Sequence, residues 1–437
     1  MNKLKYRGSN RDRCIKKNNL GVLKMEHSQH VKSKLQLNKY VKYVLYLIGG
    51  IVILSYLGNL QTSDNTKEVL QSMSLGAQHL IVGDSLKANV RFLSDKSVNI
   101  VDGYSLMVFD VGYSGNIDFV FTENNDLIVA DLLKGEIFLV PNHGLNVPAG
   151  EKKLIADKLV NIMAISYFQG SMYTLEDNNI YRYVNIGIDG TYEEKMLVIN
   201  IGLDTTDEEI ANYKGKFMIG EDSKLYFSVK EHFGIEGESG VYETIIYRSD
   251  LEGGDKEEYS FGFKDVLSIK SYNDYIWLID GHYNNPGDDS ILDELNIIKA
   301  GSNYGWPYCH DGMKPFADYP ERKSFCRQET HSPFYTFKYM SNPVDLNFIT
   351  KSNEFLPDYA NSVVITFSGC TTDDFQISPK VAVLYLSNGS YVFSDLVTGF
   401  TSDNIVWAKP ATIVIDKYGS IYFSDSLNGV IYKVVKI

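Results

Sequence analysis

A chain of 437 residues that is 44% hydrophobic and 22% charged has the material for a sizeable core, which excludes global disorder. Aromatics reach 13% and Gly (35) outnumbers Pro (11), a composition of strands and tight turns, while 4 Cys are too few to build a disulfide scaffold. The net charge of −13 is unevenly spread: residues 1–42 carry 12 Lys+Arg against 2 Asp+Glu, residues 43–60 carry none, and residues 61–437 carry 30 against 53, a net of −23 that excludes nucleic-acid binding by the main domain.

Residues 1–42 read as a basic tail with little fixed structure. The next segment, Tyr43–Leu60 (YVLYLIGGIVILSYLGNL), is 18 residues without a charge. As a helix it spans roughly 27 Å, close to the hydrocarbon thickness of a bilayer. Lys42 stands where a long cation snorkels to head groups, and Tyr40, Tyr43, Tyr46 and Tyr56 suit the interfaces. A cleaved signal peptide needs a shorter basic start and a small-residue cleavage site, which Ser55–Ser63 lacks. A buried core helix leaves the basic tail unexplained, whereas a signal anchor explains both. On the positive-inside rule the expectation is a single-pass membrane protein, with its N-terminus cytosolic and its C-terminal body extracellular, lumenal or periplasmic.

Residues 61–81 read as a polar linker and residues 82–437 as one large domain. No long helical periodicity follows. Short alternating runs broken by Asn, Asp and Gly predict strands and hairpins. A strand pair recurs: Leu127–Asp131 with Glu136–Leu139, Met172–Glu176 with Ile180–Tyr183, and Leu225–Ser228 with Ile246–Arg248. Three more follow: Ile276–Asp280 with Leu295–Ile298, Val363–Thr366 with Val383–Leu386, and Ile421–Asp425 with Val430–Lys433. Six units at roughly 60 residues each match four-stranded blades with loops, so the predicted fold is all-β, a six-bladed β-propeller preceded by one transmembrane helix. Val82–Leu93 is placed to supply the strand that closes the ring. Two stacked β-sandwiches are the rival architecture.

Residues 293–312, DELNIIKAGSNYGWPYCHDG, carry a family resemblance. Asp293-Glu294-Leu295-Asn296 and Gly301-Ser302-Asn303-Tyr304-Gly305-Trp306-Pro307 resemble the hallmark of the pyrroloquinoline-quinone-dependent glucose/sorbosone dehydrogenases, which are six-bladed propellers. Ile219–Tyr226, and Gly399-Phe400 through Trp407–Pro410 to Asp425, resemble further landmarks of that family. A structural role suits Tyr304 and Trp306 as wedges, with Pro307 fixing the chain's exit.

The resemblance implies a chemistry and then qualifies it. Family enzymes move hydride from a sugar C1–OH to the quinone, with a His as general base and a carboxylate that orients it. The base position falls on Asn212, an amide, and the orienting carboxylate on Glu231. His232 is adjacent to Glu231 but points to the opposite face of a strand. The cofactor-binding Arg-Asn pair falls on Lys264-Asp265, where one cation remains without the guanidinium fork and an acid replaces the amide. A later cationic loop falls on Ser368–Asp373. Calcium, the other implied cofactor, is expected at the backbone carbonyls of Gly281 and His282, with the acidic run Asp288, Asp289, Asp293, Glu294 as a second candidate or simply a solvated loop. The family also places Cys near Cys309 and Cys326, which implies a disulfide worth roughly 3 kcal/mol in the chain-entropy model. Cys370 is then left over, and Cys14 lies in the tail. Asn388-Gly389-Ser390 is a glycosylation sequon.

The resulting expectation is a membrane-anchored, glucose/sorbosone dehydrogenase-like propeller with a degenerate site, a non-catalytic module that binds a sugar or protein ligand on one face. The alternative is an active quinone-dependent aldose dehydrogenase. No GxGxxG, GKS/T, HExxH or CxxC pattern supports a nucleotide, zinc-protease or thioredoxin function.

Overall fold

The computed structural model describes residues 98–437, apart from 145–146, 204–205, 234–240, 283–290, 312, 352 and 372–375. Six antiparallel sheets are arranged in a ring. Blade one comprises Ile117–Phe121, Leu127–Asp131, Glu136–Val140 and Lys153–Ala156; blade two comprises Ile162–Phe168, Ser171–Glu176, Asn179–Val184 and Glu194–Asn200. Blade three comprises Phe217–Ile219, Leu225–His232, Tyr242–Ser249 and Glu257–Phe263, and blade four Val266–Tyr272, Tyr275–Asp280, Glu294–Ile298 and Tyr335–Thr336. Blade five comprises Pro343–Ile349, Ser362–Phe367, Lys380–Ser387 and Ser390–Thr398. Blade six takes Pro410–Ile415, Ile421–Asp425 and Val430–Lys436 from the end of the chain and Tyr104–Val111 from the beginning. The first strands of successive blades touch in cyclic order, with blade six returning to blade one.

Each of the six recurring strand pairs read from the sequence is the second and third strand of one blade. The second strands are buried on both faces because neighbouring blades sandwich them: Leu127–Asp131, Ser171–Glu176, Ser362–Phe367 and Ile421–Asp425 are buried throughout. That is why these strands are buried as continuous runs, where the sequence pattern predicts alternation. The core lies between blades. Met172 and Tyr183 of blade two meet Ile128 and Ile137 of blade one, and Phe217 and Phe227 of blade three meet Tyr173 and Leu175 of blade two. Hairpins turn where the sequence supplies left-handed residues. Asn273 and Asp274 (φ 53° and 61°) join two strands of blade four, and Asn388 and Gly389 (φ 50° and 80°) join two of blade five.

Two expectations are corrected. The ring is closed by Tyr104–Val111, which runs antiparallel to Val430–Lys436 from Tyr104↔Lys436 to Val111↔Val430. Val82–Leu93, expected in that role, lies outside the described residues. The single-pass membrane localisation is also corrected: no helix among the described residues is long and apolar enough to cross a membrane. The segment that carried that expectation, 43–60, and the tail and linker around it lie outside the described residues.

Between the third and fourth strands of blade four, the chain makes an excursion to the edge of blade three, where Ser302–Asn303 pairs in parallel with Ser260–Phe261. It then runs through a short helix, Lys323–Gln328, before returning. The Cys309–Cys326 disulfide ties this excursion together, and both cysteines are buried. No cysteine among the described residues is free; Cys370, expected to be left over, is disulfide-bonded as well.

Candidate functional site

In three blades the second strand ends in a buried carboxylate that receives a backbone N–H from the residues just before that blade's first strand or from the strand leading to it. Asp131 Oδ2 accepts the Ser114 N–H at 2.8 Å, and Asp425 Oδ1 accepts the Lys409 N–H at 2.9 Å. Asp280 Oδ1 accepts those of Lys264 at 3.1 Å and Asp265 at 2.8 Å. The carboxylate that ends these second strands is therefore first a loop clamp. What differs is the second oxygen. In Asp425 it meets the Asn428 amide at 2.6 Å, and in Asp131 the other oxygen takes the Ser114 hydroxyl. In Asp280, Oδ2 faces the imidazole of His282, with Nε2 at 3.2 Å.

Around that imidazole lies a buried charged cluster. Glu294 Oε2 is 3.8 Å from His282 Nε2, while its Oε1 accepts the Asp311 N–H at 2.8 Å. Asp293 Oδ1 accepts the His282 backbone N–H at 2.9 Å. Lys230, from the second strand of blade three, is buried and pairs with Asp265 at 3.0 Å. Lys264 lays its ammonium 4.6 Å from the Trp306 ring, and that ring is 6.1 Å from His282. Trp306 is held across the blades by its Nε1–H, which donates to Tyr242 O at 2.6 Å.

Burial and charge oppose each other here. Burial pulls His282 down, but Asp280 and Glu294 outweigh it and hold the imidazole up at about 9. Burial raises the Glu294 carboxyl to about 7, with His282 pulling the other way. Burial lowers Lys264 to about 8 against the attraction of Asp265 and Asp280.

The structure brings together some of the expected site residues and separates others. Lys264, Asp265, Gly281 and His282 meet at one end of blade four, where Gly281 N–H donates to Asp265 O at 2.8 Å. Asn212 is exposed after a four-residue helix, and its amide donates to Glu208 O at 2.8 Å. The buried residue of that segment is Tyr213, whose hydroxyl meets Ser228 Oγ at 2.8 Å. Glu231 faces away from Lys230 and accepts from the Tyr247 hydroxyl at 2.9 Å. His232 is exposed, 3.3 Å from Asp207. Tyr304 wedges as expected, its hydroxyl donating to Ile297 O at 2.6 Å. Asn388 sits exposed at its hairpin tip, and Asp288, Asp289 and Asp373 lie outside the described residues. Sequence reasoning missed Lys230, the side chain of Asp280 and the imidazole of His282. The D-x-H spacing of Asp280 and His282 at a strand end was the available signal.

Glu231 has a consequence of its own. It lies directly opposite Glu243 on the neighbouring strand. Burial first, then Glu258 and Glu231, push the Glu243 carboxyl up to about 7, and its Oε2 has no hydrogen-bond partner. A carboxyl raised in the folded state contributes stability that is full below about pH 4 and lost as the pH rises through about 7. E243Q is expected to match the wild type near pH 4 and to exceed it by about 1–2 kcal/mol at pH 8, a figure discounted for the part of the group that reaches water. Urea unfolding at both pH values checks this, and a pH-independent difference contradicts it.

A cavity of about 550 Å³ opens at the opposite end of the strands, lined by Tyr272, Phe348, Asn353, Asp416 and Tyr418 among others. Its polar groups serve their own loops: Asn353 Oδ1 accepts from the Phe355 and Leu356 N–H groups, and Asp416 Oδ1 from those of Tyr418 and Ser420. The charged cluster, with side chains facing one another rather than their own backbone, is the candidate site.

Residues 249–368, which hold this cluster apart from Lys230 and include the excursion of blade four, match the family model Glucose / Sorbosone dehydrogenase. The domain is a glucose/sorbosone dehydrogenase-like propeller. Solved structures with this fold include the holo form of the pyranose dehydrogenase PQQ domain from Coprinopsis cinerea (TM-score 0.60, 12% identity, 78% of this chain and 97% of that one). A Trichoderma reesei carbohydrate-active enzyme of family AA12 is similar at TM-score 0.59 and 17% identity, over 78% and 98%. The PQQ-bound aldose sugar dehydrogenase from Streptomyces coelicolor is similar at TM-score 0.53 and 15% identity, over 78% and 98%. A comparison with curated proteins finds no match.

Pyrroloquinoline quinone, the group that this propeller implies, is a tricarboxylate. Among the described residues the cluster offers Lys230, Lys264 and His282 against Asp265, Asp280, Asp293 and Glu294, and Lys230 is already committed to Asp265. Carboxylates outnumber cations, so these residues do not fit the group.

Proposed function

We propose that this sugar dehydrogenase-like propeller is a non-catalytic module that binds a sugar at the end of blades three and four without oxidising it. The observation that carries the reading is the buried Lys230–Asp265 ion pair. It neutralises a cation in the place where a tricarboxylate cofactor needs one, and it leaves the surrounding acids in excess. The exposed Asn212, with its amide bound to its own helix, supports the same reading, because an amide accepts no proton. A sugar is the favoured ligand because the half-buried Trp306 ring offers aromatic surface at this end of the blades, with the Lys264 ammonium beside it as a donor to hydroxyl oxygens. The similar structures include a pyranose dehydrogenase and an aldose sugar dehydrogenase, which supports the same ligand class.

The test is a titration of the full-length chain with pyrroloquinoline quinone and calcium, followed by cofactor absorbance, with dye reduction by aldoses measured alongside. The expected result is no saturable quinone binding well above micromolar concentration, no dye reduction, and quenching of tryptophan fluorescence by an aldose. Tight quinone binding with aldose-dependent dye reduction overturns the reading in favour of an active dehydrogenase.

A further inference from the structure

We propose that the side chains of Asp280, His282 and Glu294 bind a divalent first-row transition metal of the zinc and manganese kind. This site differs in donors and in metal from a calcium loop built of backbone carbonyls at Gly281 and His282. Asp280 and Glu294 are register partners on adjacent strands, and they are 1% and 2% exposed. Two carboxylates directly opposite one another and removed from water repel, and the arrangement favours a cation between them. One donor atom from each of Asp280, His282 and Glu294 lies within 4.8 Å of the others. Two of these separations, 3.2 Å from His282 Nε2 to Asp280 Oδ2 and 3.8 Å to Glu294 Oε2, are short enough for donors that share one ion with bonds of roughly 2.0–2.2 Å.

The imidazole supplies the independent observation. His282 is 3% exposed, and neither ring nitrogen has a hydrogen-bond partner. Nε2 approaches Asp280 Oδ2 to 3.2 Å, off the line of a hydrogen bond. A buried nitrogen aimed at two carboxylates without bonding either is arranged as a ligand. The three groups are also held from behind. The Asp265 N–H fixes Asp280 Oδ1, the Asp311 N–H fixes Glu294 Oε1, and Asp293 fixes the His282 backbone. Outer hydrogen bonds of this sort orient metal ligands. The equivalent carboxylates Asp131 and Asp425 meet the Ser114 hydroxyl with the Lys134 ammonium, and the Asn428 amide, so the imidazole is particular to blade four. One imidazole with two carboxylates matches zinc, manganese or iron(II), whereas calcium takes six to eight oxygens. Three protein donors leave a position for a further ligand.

The test uses the full-length chain expressed in metal-supplemented medium, because a buried site takes up its ion on folding. Elemental analysis after dialysis is expected to give about one equivalent of transition metal above the level held by H282Q. Zinc or manganese is expected to raise the melting temperature of chelator-treated wild type more than calcium does, and zinc binding is expected to weaken at least 100-fold in H282Q and in E294Q. Equal metal content in wild type and a folded H282Q overturns the proposal, as does calcium outcompeting zinc at equal concentration. Should both variants fail to fold, the wild type decides: a melting temperature that neither falls with chelator nor recovers with zinc overturns the proposal. Quinone is absent from every arm, so the result is independent of the function proposed above.

Discussion

Lys230→Met is expected to destabilise the propeller by about 3–5 kcal/mol, because it leaves the Asp265 carboxylate buried without its ammonium partner. The two side chains are 6% and 7% exposed and 3.0 Å apart. Asp265 Oδ2 has no hydrogen-bond partner, which leaves the more distant attraction of Lys264 to compensate its charge. The lysine stem loses little by the change, since methionine occupies a similar volume beside the Tyr213 ring, 5.3 Å from the ammonium. The double variant K230M/D265L is expected to recover most of the loss, as buried ion pairs replaced whole by apolar side chains often are. Urea unfolding of the four proteins in the cycle gives the coupling directly. Additive losses in the double variant contradict the assignment of an ion pair coupled in this way.

Phe109→Ala is expected to cost about 3–5 kcal/mol as well, for a different reason. Phe109 is fully buried on the strand that closes the ring, with its ring edge-on to Tyr422 at 5.0 Å. It joins Ile117, Phe119, Leu127 and Val129 of blade one to Val414, Tyr422 and Ile431 of blade six. Truncation removes apolar area where the closing strand, which runs on into blade one, must adhere to the three C-terminal strands of blade six without a backbone connection to them. Leu133→Ala, at a residue 69% exposed, is the control and is expected to stay within about 0.5 kcal/mol. Were the ring closed by a segment before residue 98, F109A would cost no more than the control, and denaturant midpoints distinguish the two outcomes.

The architecture was legible because it repeats. Each second strand is buried on both faces, and a run such as Leu127-Ile128-Val129-Ala130-Asp131 announces itself without periodicity analysis. The closing strand was not legible. Tyr104–Val111 pairs with residues more than 300 positions away, and nothing local distinguishes a strand that completes a distant blade from one that begins its own. The site divides along similar lines. Lys264 and Asp265 stand in a loop whose position was set by a neighbouring motif. Choosing between Lys230 and Glu231 required the parity of one strand, and a shift by one residue turns the other side chain toward the site. The opposition of Asp280 and Glu294 depends on a register set across a 13-residue connection, which sequence spacing alone does not determine.

Closure by the two ends of the described domain also sets the order of events during synthesis. At translation rates of roughly 5–20 residues per second, Tyr104–Val111 waits on the order of 15–60 s for Val430–Lys436 to be made. Throughout that interval the nascent chain carries Val108, Phe109 and Val111, all buried in the finished ring, on a strand with no partner. Blades one to five have their own strands by then, so the growing polypeptide is an open fan with one adhesive edge. Its yield in the cell depends on how well that edge is kept from other chains until the last seven-residue strand emerges.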